Sequence, residues 1–431
     1  MRIVFLSQYF DRVLPPEQNS VGIVTYEIAR RLAADAQVTV LAANGRRRTR
    51  RTSVSGMVVE ELACAPPRTW NFAAKVWPIV RPRADPIFGQ PFYAFDYLLQ
   101  ALRRIRRFQP DVVHVQNFPQ HVPYVRRAAP KSAIVLHMHC EWLNQLDERT
   151  IASAINGSDL VLGCSDHVIE LARAKFKTGQ FAVLPNGVPV EATRTTPKPR
   201  QSRVLYVGRI SPEKGLHTLL AAWPTVVANC PDARLELIGA EASLPRALLI
   251  DISEEREVLE LARFYGPGAS YGETLRAMIP REIGHTVSFR GAVPYKAVKL
   301  AVADAAVLLN PSLSESFGMS LIEALAEETP FIATSVGGMK EIALATGGGD
   351  LVRPDAPKDL ADAIIRRLKN PEEGAEIGRR GRERAIDLYA WPRIASLTRS
   401  YHLEAITAHQ RRMDRVDSEE KVHGGNSRFI C

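Results

Sequence analysis

At 431 residues, 46% hydrophobic and 24% charged, the chain is long enough for two domains of roughly 200 residues each, and its composition excludes disordered, collagen-like and coiled-coil classes. No stretch approaches the ~18 uncharged apolar residues of a membrane span. The net charge of +9 is uneven: residues 1–200 hold 27 Lys and Arg against 16 Asp and Glu, whereas residues 201–431 hold 29 against 31.

The N-terminal "MRIVFLSQYF" lacks a cleavage site of small residues and fits a first β-strand better than a signal peptide. A cytoplasmic protein is therefore expected. Further short apolar runs follow at Val38–Leu41, Val112–Val115, Ile134–His139, Leu160–Leu162 and Phe181–Leu184. Between them lie amphipathic stretches such as "VGIVTYEIARRLA", "YAFDYLLQALRRIRRF" and "SDHVIELARAKF", with apolar residues returning every three to four positions. Strands alternating with helices predict a mostly parallel sheet covered on both faces. This first domain is assigned to residues 1–190.

Residues 191–202 are polar and aperiodic, and are read as a linker. The pattern restarts in 203–385 with strands "RVLYVG", "ARLELIG", "TVSFRG", "AVLLNP" and "FIATSV". A long insertion, about 244–285, interrupts it. Residues 386–412 are expected to form a closing helix, and 413–431 a disordered tail. Tandem α/β domains place a ligand cleft at the carboxyl ends of their sheets. The five cysteines are widely spaced, with no C-x-x-C, and are expected to be reduced thiols.

Three segments carry chemistry. "YVGRISPEKGLHTLL" (206–220) runs from strand through loop to helix and sets Arg209 and Lys214 near a helix N-terminus, whose free amides favour phosphate. Arg209 offers a fork of donors and Lys214 a mobile point charge; ordinary solvated cations on a βα turn are the competing reading. "NPSLSESFGMSLIEALA" (310–326) puts Glu315 in a loop and Glu323 eight residues on in a helix, with Ser316, Phe317 and Gly318 at the helix start. Such carboxylates cannot pair on one metal along a helix, but they suit hydroxyls at two ends of a ligand with phosphate in its middle, as in a sugar nucleotide. A helix cap at Glu315 and a solvated Glu323 are the alternative. "FIATSVGGMKEIA" (331–343) adds a glycine pair that permits close backbone approach.

In this order and spacing, "GRISPEKG", "ESFGMSLIEALA" and "ATSVGGMKEI" resemble the second domain of the family 4 retaining glycosyltransferases. "VTYEIARRLA", "LPNGV" and "YAWPRIASLTRSY" extend the resemblance over nearly the whole chain. It implies an α/β chain of the GT-B fold, two Rossmann-like βαβ domains facing each other across a cleft. The implied activity is transfer of a hexose-type sugar from a nucleotide-diphosphate sugar to an acceptor hydroxyl. Arg209 and Lys214 would then bind the diphosphate, and Glu315 the sugar hydroxyls. The backbone of Phe317, Gly318 and Met319 would surround sugar and phosphate, and Glu323 would hold the ribose. In "AIVLHMHCE", His139 matches the family's active-site histidine, and His137 lies on the same strand face. The family's glycine pair before the first helix is replaced by Asn19 and Ser20, so Ser20 or the nearby Gly22 would line the donor's phosphates. No D-x-D occurs, and neither a metal nor a cofactor is expected.

The basic excess of the first half concentrates in "RRRTRR" (46–51) and "RRIRRF" (103–108). Residues 69–99 hold eight of the chain's 31 aromatic residues: Trp70, Phe72, Trp77, Phe88, Phe92, Tyr93, Phe95 and Tyr97. Lys75, Arg81 and Arg83 stand among them. Basic and aromatic residues together suit a lipid-linked or anionic acceptor and peripheral contact with the inner face of a membrane. They equally suit a closed apolar pocket for a small acceptor, or aromatics packed under a loop beside solvated arginines. No nucleic-acid recognition motif accompanies them. Epimerase or hydrolase chemistry on the same fold, or a non-catalytic sugar-nucleotide-binding subunit, are the other functions this sequence admits.

Overall fold

A computed structural model describes residues 1–16, 18–46, 48–66, 69–70, 72–73, 76–77, 86–190, 202–266, 268 and 270–425. The linker residues 191–201, together with Lys75, Arg81 and Arg83, lie outside them. The chain divides into two compact units, residues 1–164, 168–184 and 394–431 in one, and 165–167 and 185–393 in the other.

The first unit is built on eight strands: β1 (Arg2–Leu6), β2 (Gln37–Ala43), β3 (Arg50–Val54), β4 (Met57–Leu62), β5 (Val112–Gln116), β6 (Ala133–Met138), β7 (Leu160–Gly163) and β8 (Phe181–Val183). They lie in the order β3-β4-β2-β1-β5-β6-β7-β8, all pairs parallel except β3 with β4. β5 and β6 are buried along their whole length, so they show no alternation with solvent-facing residues, and His114, Gln116 and His137 are buried among their apolar side chains. Tyr97, fully buried in the helix Phe95–Phe108, has its hydroxyl 2.9 Å from the Ser7 carbonyl and 2.8 Å from that of Leu41. It therefore clamps the carboxyl ends of β1 and β2.

The β3–β4 hairpin is absent from the sequence expectation. Its arginines were read only as a charge cluster, yet Arg50 pairs in register with Glu61 and Arg51 with Glu60. Arg104 also reaches Glu60 at 2.9 Å, so part of the basic excess is met locally. The aromatic segment divides: Phe88, Tyr93 and Tyr97 are core, while Phe72 and Phe92 are exposed.

The second unit holds β9 (Arg203–Val207), β10 (Arg234–Ile238), β11 (Val287–Gly291), β12 (Val307–Asn310), β13 (Phe331–Thr334) and β14 (Gly349–Val352). They form an all-parallel sheet in the order β11-β10-β9-β12-β13-β14. Its core packs Tyr206, Leu219, Trp223, Leu237 and Leu309, and the Trp223 indole donates to Thr286 Oγ1 at 2.9 Å. The 244–285 insertion is made of short helical turns and the helix Tyr271–Ala277, which opens with a Ser270–Glu273 capping box. Its Leu249, Ile250, Val258 and Leu261 cluster with Leu313, giving the insertion a packing role beside the loop after β12.

The chain ends in two helices, Pro371–Tyr389 and Trp391–Gly425. The tail expected to be disordered from residue 413 is instead helical as far as Gly425. Its helix is already established by buried Ile394, Thr398, His402 and Ala405 at i, i+4 and i+3 spacing, and after Pro392 in its first turn no proline or glycine occurs before residue 424. Among the described residues no helix is long and apolar enough to cross a membrane.

Candidate functional site

In the second unit the strand order reverses between β9 and β12, the position where open α/β sheets bind ligands. The loops leaving those two strands carry Arg209–Lys214 and Ser312–Gly318. They are joined directly. Lys214 Nζ donates to Glu315 Oε2 at 2.7 Å with both side chains about four-fifths buried, and the Leu313 amide donates to the Glu213 carbonyl at 2.8 Å.

Arg209 is half-exposed. Its Nη2 lies 2.9 Å from Glu213 Oε1, and the other carboxylate oxygen of Glu213 accepts from the Ser211 hydroxyl. The buried Tyr206 hydroxyl donates to the Arg209 carbonyl at 2.6 Å. A buried carboxylate thus aims the guanidinium. Glu213 was missed from sequence, although its place four residues after Arg209 inside "GRISPEKG" is a usable signal.

Glycines let three helices start close to these loops. Gly215 (φ 67°) precedes the helix Leu216–Asn229, Gly318 (φ 99°) precedes Met319–Ala326, and Gly337 (φ 48°) opens Gly337–Thr346. Among the described residues no side chain caps any of the three, so their positive ends point toward the loops. A Cβ on Gly215 would stand 1.9 Å from the Pro311 carbonyl oxygen, and one on Gly337 1.9 Å from that of Glu315. The Gly338 amide donates to the same Glu315 oxygen at 3.2 Å. The glycine pair, a weak signal by itself, sets the backbone of the key glutamate.

Phe317 is buried edge-on against Tyr389, 5.8 Å between centroids, so only its backbone is free to face a ligand. Glu323 lines a small cavity of about 20 Å³ with Val188, Tyr295, Lys299 and Glu327. Burial pushes its carboxyl up to about 7, so it both donates and accepts near neutrality. The structure brings Arg209, Lys214, Glu315, Phe317 and Gly318 onto two adjoining loops, with Met319 opening the following helix and Glu323 about one turn along it.

The first-unit candidates stand on the loops after β1 and β6. Asn19 caps the helix Ser20–Leu32, accepting from the Gly22 amide at 3.0 Å, and its own amide donates to Asp11 Oδ1 at 2.9 Å. Asp11 is buried, and burial raises its carboxyl to about 7 against the opposing hydrogen bonds from Asn19 and Gln8. Gly22 has its amide taken and its Cα against the Arg12 carbonyl, where a Cβ would sit at 1.9 Å. It is a packing glycine. Ser20, in contrast, is exposed at the first helical position.

His139 follows β6 directly. Its amide donates to Asn117 Oδ1 at 2.5 Å and its Nε2 lies 2.7 Å from Gln116 Oε1. His137 is fully buried, its ring 4.0 Å from that of His139 and 5.3 Å from that of His114. His114 Nδ1 meets His402 Nε2 at 2.9 Å. Burial, reinforced by neighbouring imidazoles, holds His114 and His137 well below the usual histidine range. His137 is thus part of a buried neutral stack, and His139 is the partly exposed member.

Comparison with known proteins bears on the family and the fold. The family "Glycosyltransferase Family 4" matches residues 21–192 and "Glycosyl transferases group 1" matches residues 191–384. A glycogen synthase of Mycobacterium tuberculosis is 27% identical over 326 residues, 71% of this chain and 72% of that protein. A D-inositol 3-phosphate glycosyltransferase of Streptomyces avermitilis is 29% identical over 268 residues, 59% and 53% of the two chains. In fold, a sucrose-phosphate synthase from Thermosynechococcus elongatus superposes with a TM-score of 0.71 at 20% identity, covering 95% of this chain and all of that one. HepE of Anabaena, in complex with UDP and glucose, gives 0.62 at 18% identity, covering 93% and 98%. With two Rossmann-like domains, each matched by its own glycosyltransferase family, the chain is a glycosyltransferase of the GT-B fold and belongs to the family 4 group.

Proposed function

We propose that the enzyme transfers a hexose-type residue from a nucleoside-diphosphate sugar to an acceptor hydroxyl with retention at the anomeric carbon. The observation that carries this reading is the Lys214–Glu315 contact, which joins a phosphate-seeking cation to a hydroxyl-seeking carboxylate at the switch point of the second unit. Arg209 and Lys214 hold the diphosphate, with the uncapped helix starts adding positive potential. Glu315 accepts from sugar hydroxyls, the backbone of Phe317, Gly318 and Met319 follows sugar and phosphate, and Glu323 takes the ribose hydroxyls. In the first unit Ser20 offers its hydroxyl and amide toward phosphate, and His139 contacts the sugar.

In the reaction the bond between the anomeric carbon and the diphosphate oxygen breaks. The acceptor oxygen bonds that carbon on the same face, and its proton passes to the departing diphosphate oxygen. No side chain acts as nucleophile, and the reading calls for no metal and no cofactor besides the donor. Arg209 and Lys214 lower the barrier by meeting charge that grows on the leaving group.

A thermal-shift screen of UDP, GDP, ADP and dTDP tests the donor half, since a bound ligand stabilises by RT ln(1 + [L]/Kd). NMR of the products tests the rest. A glycoside with the donor's anomeric configuration is expected. Inversion overturns the mechanism, and free sugar or an isomeric sugar nucleotide points to hydrolase or epimerase chemistry.

A further inference from the structure

A cavity of about 820 Å³ opens in the first unit, beyond the carboxyl ends of β1 and β2. One wall is the segment 9–16 after β1, the other the turn that leads from β2 into β3. Four arginines line it, Arg12, Arg46, Arg48 and Arg50, against two carboxylates, Asp11 and Glu61.

The carboxylates do not cancel the arginines. Asp11 is 3% exposed, and its oxygens accept from Asn19 Nδ2 at 2.9 Å and from the Gln8 amide at 3.0 Å. Glu61 lies 3.9 Å from Arg50 Nε, a loose and exposed pairing of cross-strand neighbours that contributes little. Arg46 and Arg48 are exposed, and neither meets a carboxylate among the described residues.

Their position is built rather than incidental. The Asn44 side chain accepts from the Arg46 amide at 2.8 Å and donates to the carbonyls of Arg48 and Glu61, each at 2.9 Å. Gly45 takes a positive φ of 60° that lets the turn close, and its amide donates to Cys64 Sγ at 3.3 Å. One asparagine therefore fixes the loop that presents both free guanidiniums to the cavity. Beside them Phe10, 41% exposed and edge-on to Phe118, offers an apolar ring face.

Forked cations beside an exposed aromatic ring match a ligand with a phosphate at one end and a carbon ring or chain at the other. We propose that this cavity takes the phosphate ester of a polyhydroxylated acceptor, Arg46 and Arg48 holding the phosphate and Phe10 packing on the carbon skeleton. The acceptor role rests on the transferase reading above; the binding site does not. The ester comes either from a soluble sugar or polyol phosphate or from a phospholipid headgroup, and both present the same chemistry to the loop.

The test uses the full chain and an R46A/R48A variant, with R256A, a change at an exposed arginine of the other unit, as the charge control. Titration calorimetry compares glucose 6-phosphate, glycerol 3-phosphate, glucose and inorganic phosphate. Flotation compares phosphatidylcholine vesicles with and without phosphatidylglycerol. UDP titration runs in parallel. A phosphate ester is expected to bind wild type and R256A at least tenfold more tightly than R46A/R48A, with glucose bound by none and UDP affinity equal in all three. Flotation on the anionic vesicles that the double variant alone loses supports the site with a lipid source. Equal binding of every ester and vesicle by wild type and R46A/R48A, no binding by any chain, or inorganic phosphate bound as tightly as its esters overturns the proposal. Failure of UDP alone to bind counts against the transferase reading and leaves the ester result separately readable.

Discussion

Lys214 Nζ and Glu315 Oε2 stand 2.7 Å apart across the two loops that flank the β9/β12 switch point, and each side chain keeps less than a fifth of its surface. Neither group is idle without substrate, since each holds the other in place. On the proposed reading, a diphosphate that draws Lys214 toward itself would free the carboxylate for sugar hydroxyls.

Replacing either partner should separate binding from folding. Lys214→Ala and Glu315→Ala are each expected to lower kcat by about 10²–10³-fold, the scale of removing one preorganised group that meets transition-state charge. Glu315→Gln keeps an acceptor oxygen and should lose less than Glu315→Ala. Steady-state kinetics beside circular dichroism of the purified variants decides it; wild-type turnover in either alanine variant removes the residue from the mechanism.

The buried Glu213 carboxylate lies 2.9 Å from the Arg209 guanidinium. Glu213→Ala should weaken nucleoside-diphosphate binding by about tenfold or more, because a misplaced group loses most of its effect, and Glu213→Gln should fall between it and wild type. Calorimetric titration of the preferred diphosphate gives the numbers. An unchanged Kd in Glu213→Ala means that Arg209 needs no such support.

The two ends of the helix Gly337–Thr346 give a matched comparison. Gly337 and Gly347 both have positive φ, 48° and 61°, but only Gly337 faces backbone, with Glu315 O at 1.9 Å from a built Cβ, while nothing lies within 4 Å of Gly347. Gly347→Ala carries the conformational cost alone, about 1 kcal/mol. Gly337→Ala adds the displacement of the Glu315 backbone and should cost about 2 kcal/mol or more, with reduced activity. Urea midpoints of the two variants test this, and equal losses would refute the steric account.

Acid should destabilise the fold before the ordinary carboxylates titrate. Burial lowers His121 and His217 to about 4 and His402 to about 3 from 6.5, and holds His114 and His137 well below 6.5. Below pH 6.5 the unfolded chain takes up these protons and the folded one does not, so their contribution is present above that pH and is lost as pH falls. Asp11 and Glu323, raised to about 7, act oppositely, because the fold binds their protons before the unfolded chain does. Five groups oppose two, and each net proton is worth about 1.4 kcal/mol per pH unit. Denaturation midpoints should therefore fall from pH 6.5 to 4.5. A flat or rising profile would show that the histidine cluster is hydrated or relaxes on protonation.

Most of the second-unit site is legible in the sequence because its parts are local. Arg209 and Lys214, like Glu315 to Met319, sit in short loops between a strand and a helix, and a ligand at a sheet's carboxyl edge is met by consecutive residues. The same locality made Glu213 readable in principle. The β3–β4 hairpin was not legible. Arg50, Arg51 and Ser53 show no apolar alternation on an exposed edge strand, and the segment is a strand only through its antiparallel register with β4, where Arg50 faces Glu61, Arg51 faces Glu60 and Ser53 faces Val58.

The packing role of Gly22 needed the loop path that brings the Arg12 carbonyl against it. The histidine stack needed His402, 288 residues from His114. The guanidiniums of Arg46 and Arg48 became a site only through Asn44, whose side chain spans the turn to the backbone of Glu61. Periodicity, which is a property of neighbouring residues, was enough for the two α/β domains, and the motifs of the second domain were enough for the resemblance to the glycosyltransferases. Tertiary structure alone decided which glycines pack, which arginines are neutralised and which histidines are buried, because each of those depends on a partner that chain distance conceals.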